Sequence, residues 1–224
     1  TAALPAPRTP WWSPKAAYDA PMPPPSPRPF VSRAGLKLAH ALKAFGLDVT
    51  GLRCADFGCN VGGFTDCLLQ AGAASVIAVD TGHGTLAWSL RSDPRVETRE
   101  RTNALHADPP ASPVDLVVID MAWTRQRLAV PAALRWLPAD GPARERARIV
   151  SLVKPHYELE KAEKRDLLHE GRLDREVAAE VARRTAASLE GVDVLGLEPS
   201  PVTGGKSSRR GTGNVEFLAL LRPL

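Results

Sequence analysis

Cysteine is scarce in this sequence: Cys54, Cys59 and Cys67 are the only three among 224 residues, and no two of them form a Cys-x-x-Cys pair. That suggests neither a disulfide framework nor a zinc site; three thiols fit a reducing compartment. Long hydrophobic runs are also missing. No apolar stretch approaches the roughly 20 residues that span a bilayer, and the first residues show no charged start, apolar stretch and small-residue cleavage site, so neither a membrane span nor a signal peptide is expected. A soluble, cytoplasmic protein without membrane partners is expected. The first residue is not Met, which leaves residues upstream of Thr1 open. An excess of one charge is absent as well: 29 basic residues face 25 acidic ones, a net +4, compatible with a polyanionic partner without establishing one. There is no internal repeat, and nothing speaks to oligomeric state.

What is present is enough apolar material, 44% of the residues, to bury one substantial core. Ten of the 21 prolines fall in the first thirty residues, as in Pro21-Met-Pro-Pro-Pro25, so neither a continuous helix nor a paired strand is expected there. Residues 1–31 read as an arm in which Arg8, Lys15 and Arg28 alternate with Trp11, Trp12, Tyr18 and Phe30. This mixture suits stacking on nucleic acid, or packing of the aromatics on the domain surface. From residue 32 to 224 the pattern is that of one domain. Leu38, Leu42 and Phe45 recur at helical spacing before Gly46. Strand-like runs at 52–57, 75–79, 114–119 and 149–153 alternate with helical patterns at 63–71, 85–91 and 127–137, followed by a helix over 173–189 and strands at 192–197 and 215–221. Such alternation predicts an α/β fold with a parallel sheet between layers of helices.

The first of these strands runs into a glycine-rich turn, Asp56-Phe-Gly-Cys-Asn-Val-Gly-Gly63, and the next ends in Ser75-Val-Ile-Ala-Val-Asp80. Bare backbone at a strand-to-helix turn admits a ligand, and a carboxylate at the tip of the adjacent strand accepts hydrogen bonds from ribose hydroxyls. A dinucleotide site requires Gly-x-Gly-x-x-Gly to seat a pyrophosphate. Here the spacing is Gly58-x-x-x-Gly62-Gly63. S-adenosylmethionine has no pyrophosphate and fits this looser turn better, although the glycines also suit a tight connection alone. A second glycine signal, Thr203-Gly-Gly-Lys-Ser207, lacks the first glycine of a P-loop because position 200 is serine. It reads as a basic loop, either solvated or contacting phosphates through Lys206, Arg209 and Arg210.

In such sheets catalytic groups stand at the carboxyl ends of strands. Asp120 ends Val114-Asp-Leu-Val-Val-Ile-Asp120, and Lys154 ends Ile149-Val-Ser-Leu-Val-Lys154. A lysine closing an apolar strand needs a partner, because burying an unpaired ammonium is costly, and Asp120 is the obvious one. Two further charges interrupt apolar patterns: Lys37 at the margin of the first helix's stripe and Glu216 inside the last strand. Each taken alone also reads as an ordinary surface charge.

Ser32-Arg-Ala-Gly-Leu-Lys37-Leu, Asp56-Phe-Gly with Gly62-Gly-Phe-Thr-Asp66, Ala87-Trp-Ser-Leu-Arg91, Glu100-Arg-Thr-Asn103, Asp115-Leu-Val-Val-Ile-Asp120, Leu152-Val-Lys-Pro155 and Gly213-Asn-Val-Glu-Phe-Leu218 together resemble the TlyA/haemolysin A branch of the FtsJ-like ribose 2′-O-methyltransferases. The match runs from about residue 32 to the end and keeps order, spacing and strand position. The resemblance implies a Rossmann-like class I S-adenosylmethionine-dependent methyltransferase with a mostly parallel seven-stranded sheet, acting on RNA, with ribosomal RNA or a ribosomal subunit as partner. It places the family's Lys-Asp-Lys-Glu tetrad on Lys37, Asp120, Lys154 and Glu216, with Lys154 as the base for the ribose hydroxyl. Cofactor contacts are implied for Asp56, Gly58, Cys59, Asn60, Gly62, Gly63, Phe64, Asp80, Asn103 and Asp120, and RNA contacts for Arg33 with the basic loop. No metal is implied.

The sequence departs from the branch in three places. The proline-rich arm stands where the branch carries an S4 RNA-binding domain; Met121-Ala-Trp-Thr124 follows the aspartate; and His156-Tyr157 follow Lys154-Pro155. His156 reads equally as an RNA contact or a hydrogen-bonded structural histidine. Other readings are a methyltransferase acting on a base or small molecule, against which the lack of Asn/Asp-Pro-Pro-aromatic after the fourth strand counts, and a non-catalytic RNA-binding or ribosome assembly factor.

Overall fold

The computed structural model describes residues 29–204 and 213–224. Its centre is a seven-stranded sheet in the order β3-β2-β1-β4-β5-β7-β6, formed by β1 (Arg53–Phe57), β2 (Ser75–Val79), β3 (Val96–Arg99), β4 (Leu116–Ile119), β5 (Arg148–Val153), β6 (Val192–Pro199) and β7 (Phe217–Pro223). The first five are parallel, and β7 alone runs against its neighbours β5 and β6. The predicted class is therefore the observed one. The central strands are apolar on both faces because both are covered: β4 is Leu-Val-Val-Ile, buried throughout.

One face packs against α1 (Ala34–Ala44) and α2 (Gly63–Gln70), with Leu38, Ala41, Phe64 and Leu68 fully or nearly fully covered. The other packs against α4 (Gln126–Leu134) and α8 (Arg175–Ala187), which follow α3 (Trp88–Arg91) and, for α8, α5 (Gly141–Arg146), α6 (Pro155–Glu158) and α7 (Lys161–Leu167). On α8 the buried residues Ala178, Val181, Ala182, Thr185 and Ala186 form the narrow stripe that a helix on a sheet requires. Trp136 is fully buried after α4 and meets Phe57 edge to face, with ring centroids 4.9 Å apart.

Three local differences from the sequence pattern have physical causes. The segment expected to be helical over 85–91 is helical only in α3, because the Gly84 N–H is taken by Glu100 and the Ala87 N–H by the Val61 carbonyl. Strand β3, Val-Glu-Thr-Arg, carries one apolar residue, so no hydrophobic run marks it. Glu216 stands just before β7 rather than within it, and its carbonyl accepts the Ser200 N–H at 2.8 Å.

The chain leaves β1 for β2 and β3 on one side, then crosses to β4 on the other. The carboxyl ends of β1 and β4 thereby diverge into a crevice, the place where such sheets bind ligands.

Candidate active site

Two adjoining cavities occupy that crevice. The larger, about 510 Å³, is lined by Lys37, Asp120, Lys154 and Glu216 together with Asp56, Gly58, Cys59, Asn60 and Phe64. The smaller, about 390 Å³, is lined by Asp80, Thr81, Gly82, Thr102, Asn103 and Trp123. Gly58, Asn60, Asp120 and Ala122 border both.

The four charges singled out from the sequence meet as two ion pairs. Lys154 follows β5 directly, and its Nζ lies 2.6 Å from Asp120 Oδ1 and donates to the Met121 carbonyl at 3.1 Å. Lys37, on the inner face of α1 and 8% exposed, donates to Glu216 Oε2 at 2.5 Å. Glu216 is 3% exposed; burial raises its carboxyl above the ordinary value, while the Lys37 charge and hydrogen bond oppose the rise. A Cβ on Gly204 would lie 2.0 Å from Glu216 Oε1, so a glycine there leaves the carboxylate its room.

Asp80 and Asp56 have distinct surroundings. The Asp80 carboxylate accepts the Asn60 N–H at 2.9 Å and the Gly82 N–H at 2.7 Å, which ties the glycine-rich turn to the tip of β2 and leaves acceptor capacity facing the smaller cavity. Asn60 adopts φ +49° within that turn. Asp56 is fully buried; its Oδ2 accepts from Thr65 N at 2.9 Å and Thr65 Oγ1 at 2.7 Å, whereas Oδ1 has no hydrogen-bond partner among the described residues. Burial pushes its carboxyl up to about 7, and the nearby charges of Asp120 and Asp80 add to the rise against the Thr65 bonds. Asn103 accepts the Leu105 N–H through Oδ1 at 3.0 Å and borders the smaller cavity.

Residues 30–218 match the family model of the FtsJ-like methyltransferases. The chain belongs to this family. It is 42% identical over 201 residues to the 16S/23S rRNA (cytidine-2′-O)-methyltransferase TlyA of Mycobacterium tuberculosis, an alignment covering 88% of this chain and 70% of that protein. A solved structure from Lactococcus lactis, provisionally named a hemolysin, superimposes with TM-score 0.72 at 36% identity, covering 86% of this chain and 88% of that one. An S-adenosylmethionine dependent methyltransferase from Mesorhizobium loti shares the fold with TM-score 0.51 at 16% identity, over 82% of this chain and 96% of that one. The FtsJ-like chain is thus a methyltransferase with the class I, Rossmann-like sheet of S-adenosylmethionine-dependent enzymes.

Within the FtsJ-like site, the crowding around the three glycines comes from the protein itself. A Cβ on Gly58 would meet the Asp120 carbonyl oxygen at 2.7 Å, one on Gly62 the Leu90 and Leu86 side chains at 2.3 and 2.7 Å, and one on Gly63 the Ser32 hydroxyl at 2.2 Å. Neighbouring protein atoms leave no room for a Cβ at any of the three; Gly58 borders both cavities, whereas Gly62 and Gly63 border neither. Cys59 does border the larger cavity, but burial drives its thiol well above the ordinary value, and Cys54 and Cys67 are pushed up to about 12. All three stay thiols, inert as nucleophiles.

Trp123, His156 and Tyr157 stood out in the sequence only as departures from the branch, and the structure brings their rings together. Trp123, 82% exposed at φ +56°, stands at the rim with its ring 6.4 Å from that of Tyr157, which lies 4.0 Å from the His156 ring. An exposed tryptophan in a left-handed backbone position is the signal, and it exists only in three dimensions. His156 is neither a ready acid nor hydrogen-bonded through Nδ1 among the described residues; burial and the charges of Lys154 and Lys164 bring it down to about 4.

Arg33 is exposed and lines a small cleft beside Lys37 with Val202 and Gly204. Residues 1–28 of the arm, and Lys206, Arg209 and Arg210 of the basic loop, lie outside the described residues. Pro29 and Val31 are bonded to α2 through Gln70 and Asp66. No group of residues suited to hold a metal ion, and no helix long and apolar enough to cross a membrane, occurs among the described residues.

Proposed function

We propose that this chain transfers a methyl group from S-adenosylmethionine to a ribose 2′-hydroxyl of ribosomal RNA, in the cytoplasm. The observation that carries this reading is the meeting of Lys154–Asp120 and Lys37–Glu216 in one cavity beside a chamber edged by Asp80. The activity named for the Mycobacterium tuberculosis relative supports it.

A ribose hydroxyl is a poor nucleophile until its proton has somewhere to go. In the amine form Lys154 offers a lone pair at the point where Asp120 and the Met121 carbonyl hold its nitrogen. Asp120 then stabilises the ammonium that results. Lys37 and Glu216 present a donor and an acceptor to the ribose and hold the hydroxyl in line for displacement. S-adenosylmethionine supplies the methyl on a positively charged sulfur, which leaves as a neutral thioether. The residues present suit that cofactor: Asp80 would accept from its ribose, Asn103 would border its adenine, and the unpartnered Oδ1 of Asp56 would receive its α-ammonium, with Gly58, Cys59, Asn60 and Phe64 lining the cavity. Arg33, Lys206, Arg209 and Arg210 supply positive charge for RNA phosphates, and Trp123 offers a face for a nucleobase.

The test is incubation with S-adenosylmethionine and ribosomal RNA or subunits, followed by nucleoside analysis. A 2′-O-methylnucleoside is expected. A base-methylated nucleoside, or cofactor binding by calorimetry with no methylated nucleoside, overturns the reading in favour of a base methyltransferase or an assembly factor respectively.

A further inference from the structure

The proposed chemistry leaves Arg91 and Glu100 without a role, although both belong to sequence motifs of the family. In the structure they meet. Glu100 lies just beyond β3 with its side chain only 8% exposed. Its Oε1 accepts the Gly84 N–H at 2.9 Å and bonds the Arg91 guanidinium, and its Oε2 faces His83 Nδ1 at 3.0 Å. One carboxylate therefore gathers three partners from a stretch of nine residues.

That stretch continues the wall of the smaller cavity, which Asp80, Thr81 and Gly82 line together with Thr102 and Asn103. Its two ends are secured differently. Toward the glycine-rich turn the attachment is apolar: Leu86 and Leu90 pack over Gly62, and Ala87 N donates to the Val61 carbonyl at 3.0 Å. Between these points, residues 81–85 bury no apolar side chain, and Thr81, His83, Gly84 and Thr85 are exposed. Gly84 takes φ +69°. Such a segment gains little from burial against its conformational entropy, so its order depends on polar contacts. Those are the Gly82 N–H to Asp80, the Arg101 N–H to the Gly82 carbonyl at 3.0 Å, and the cluster on Glu100. The Gly84 N–H and the Arg91 charge hold the Glu100 carboxyl below its ordinary value against burial, keeping it an anion over the working pH range.

We propose that Glu100 and Arg91 form a latch that positions the 81–85 wall, and with it the Asp80 carboxylate, over the adenosine end of S-adenosylmethionine. This rests on the reading of the smaller cavity as the cofactor's nucleoside chamber. Neither latch residue touches the reacting atoms. The latch acts on cofactor affinity and leaves the transfer step to the tetrad.

The experiment is calorimetry with S-adenosylmethionine, with steady-state kinetics, on Glu100→Gln, Arg91→Met and the double variant. Glu100→Gln keeps an acceptor for Gly84 and removes the charge. Each single variant is expected to weaken cofactor binding and raise the cofactor KM about tenfold, the order set by one charge-assisted hydrogen bond. The double variant loses no more than the worse single, because both break one interaction. At saturating cofactor, kcat stays within about twofold and the RNA KM is unchanged, while amides 81–87 exchange faster. Unaltered cofactor affinity in both single variants overturns the latch, as does a fall in kcat with the cofactor KM unchanged. Wild-type protein that binds no S-adenosylmethionine overturns the reading of the chamber, and the latch with it. Should Glu100→Gln melt early, the exposed His83→Gln variant gives the same readout, with a loss of about twofold expected for one weak surface contact.

Discussion

Lys37 and Glu216 are 179 positions apart in the chain, and their side chains meet at 2.5 Å beneath the surface. The pair ties the helix that opens the domain to the residue before its last strand. Lys37→Met leaves a buried carboxylate without its cation, and a loss of about 3–5 kcal/mol is expected, the usual consequence of breaking a buried pair on one side. Burial already raises Glu216 and Lys37 opposes that rise, so the variant raises it further. An acid whose folded-state value exceeds its unfolded one loses stability as pH rises. Denaturant titration should therefore find Lys37→Met weaker at pH 8 than at pH 5, and Lys37→Met/Glu216→Leu restored in stability but inactive. Equal loss at the two pH values would refute this account.

Lys154→Met should lower methyl transfer about 10²–10⁴-fold, the usual contribution of a positioned base, with cofactor binding retained. Lys154→Arg is the sharper variant. Arginine keeps a positive charge opposite Asp120 but cannot give up its proton. Single-turnover rates as low as those of Lys154→Met are expected; near-normal rates would reduce Lys154 to an electrostatic role.

Asp56 is expected to make cofactor binding depend on pH. Its folded-state value of about 7 lies above the ordinary carboxyl value, so the folded chain holds this proton more tightly than the unfolded one. Stability from this group is present at low pH and lost as pH rises toward 7. Once ionised, the free Oδ1 attracts an α-ammonium. Affinity for S-adenosylmethionine is accordingly expected to climb from pH 5.5 to 7, before the cofactor's own amine loses its proton near about 8. In Asp56→Asn calorimetry should give a flat profile over that interval; a profile as steep as wild type would rule the contact out.

Gly63→Ala places a Cβ 2.2 Å from Ser32 Oγ and 2.9 Å from Ala34 Cβ and the Gly35 nitrogen. Neither α1 nor α2 can retreat without disturbing Leu38 and Phe64, so a loss of about 1–3 kcal/mol is expected. Calorimetric melting measures it. Because α1 carries Lys37, activity should fall further than stability.

Trp123→Ala removes the exposed ring at the rim. Loss of one base stack is worth about 1–3 kcal/mol, so the RNA KM should rise roughly tenfold or more while cofactor affinity stays constant. An unchanged RNA KM would leave Trp123 without a part in recognition.

Much of the crevice was legible along the chain because its residues end apolar runs. Asp80, Asp120 and Lys154 follow β2, β4 and β5 directly, and an ionisable residue closing a buried strand must face a polar place. The glycine turn was legible as a turn, yet its reasons were not: which atoms crowd Gly58, Gly62 and Gly63 depends on β4, α3 and α1. β3 was hidden and the helix expected over 85–91 came out as the one-turn α3, because hydrogen bonds to Glu100 and Val61, rather than hydrophobic period, shape that region.

The sequence by itself determined the alternation of buried strands and amphipathic helices, the parallel sheet that follows from it, and the charges at the strand ends, because periodicity and the cost of burying charge act locally. Asp120 was already the evident partner of Lys154, and only the tertiary structure decided that Lys37 meets Glu216. Lys37 and Lys154 face two carboxylates in one cavity, and the pairing of Lys37 with Glu216 follows from α1 and the start of β7 flanking the same crevice. Nor does the sequence state that Asp80, Asn60 and Glu100 hold the wall of the smaller cavity together, since hydrogen bonds between loops have no period to read and depend on where the sheet brings its ends.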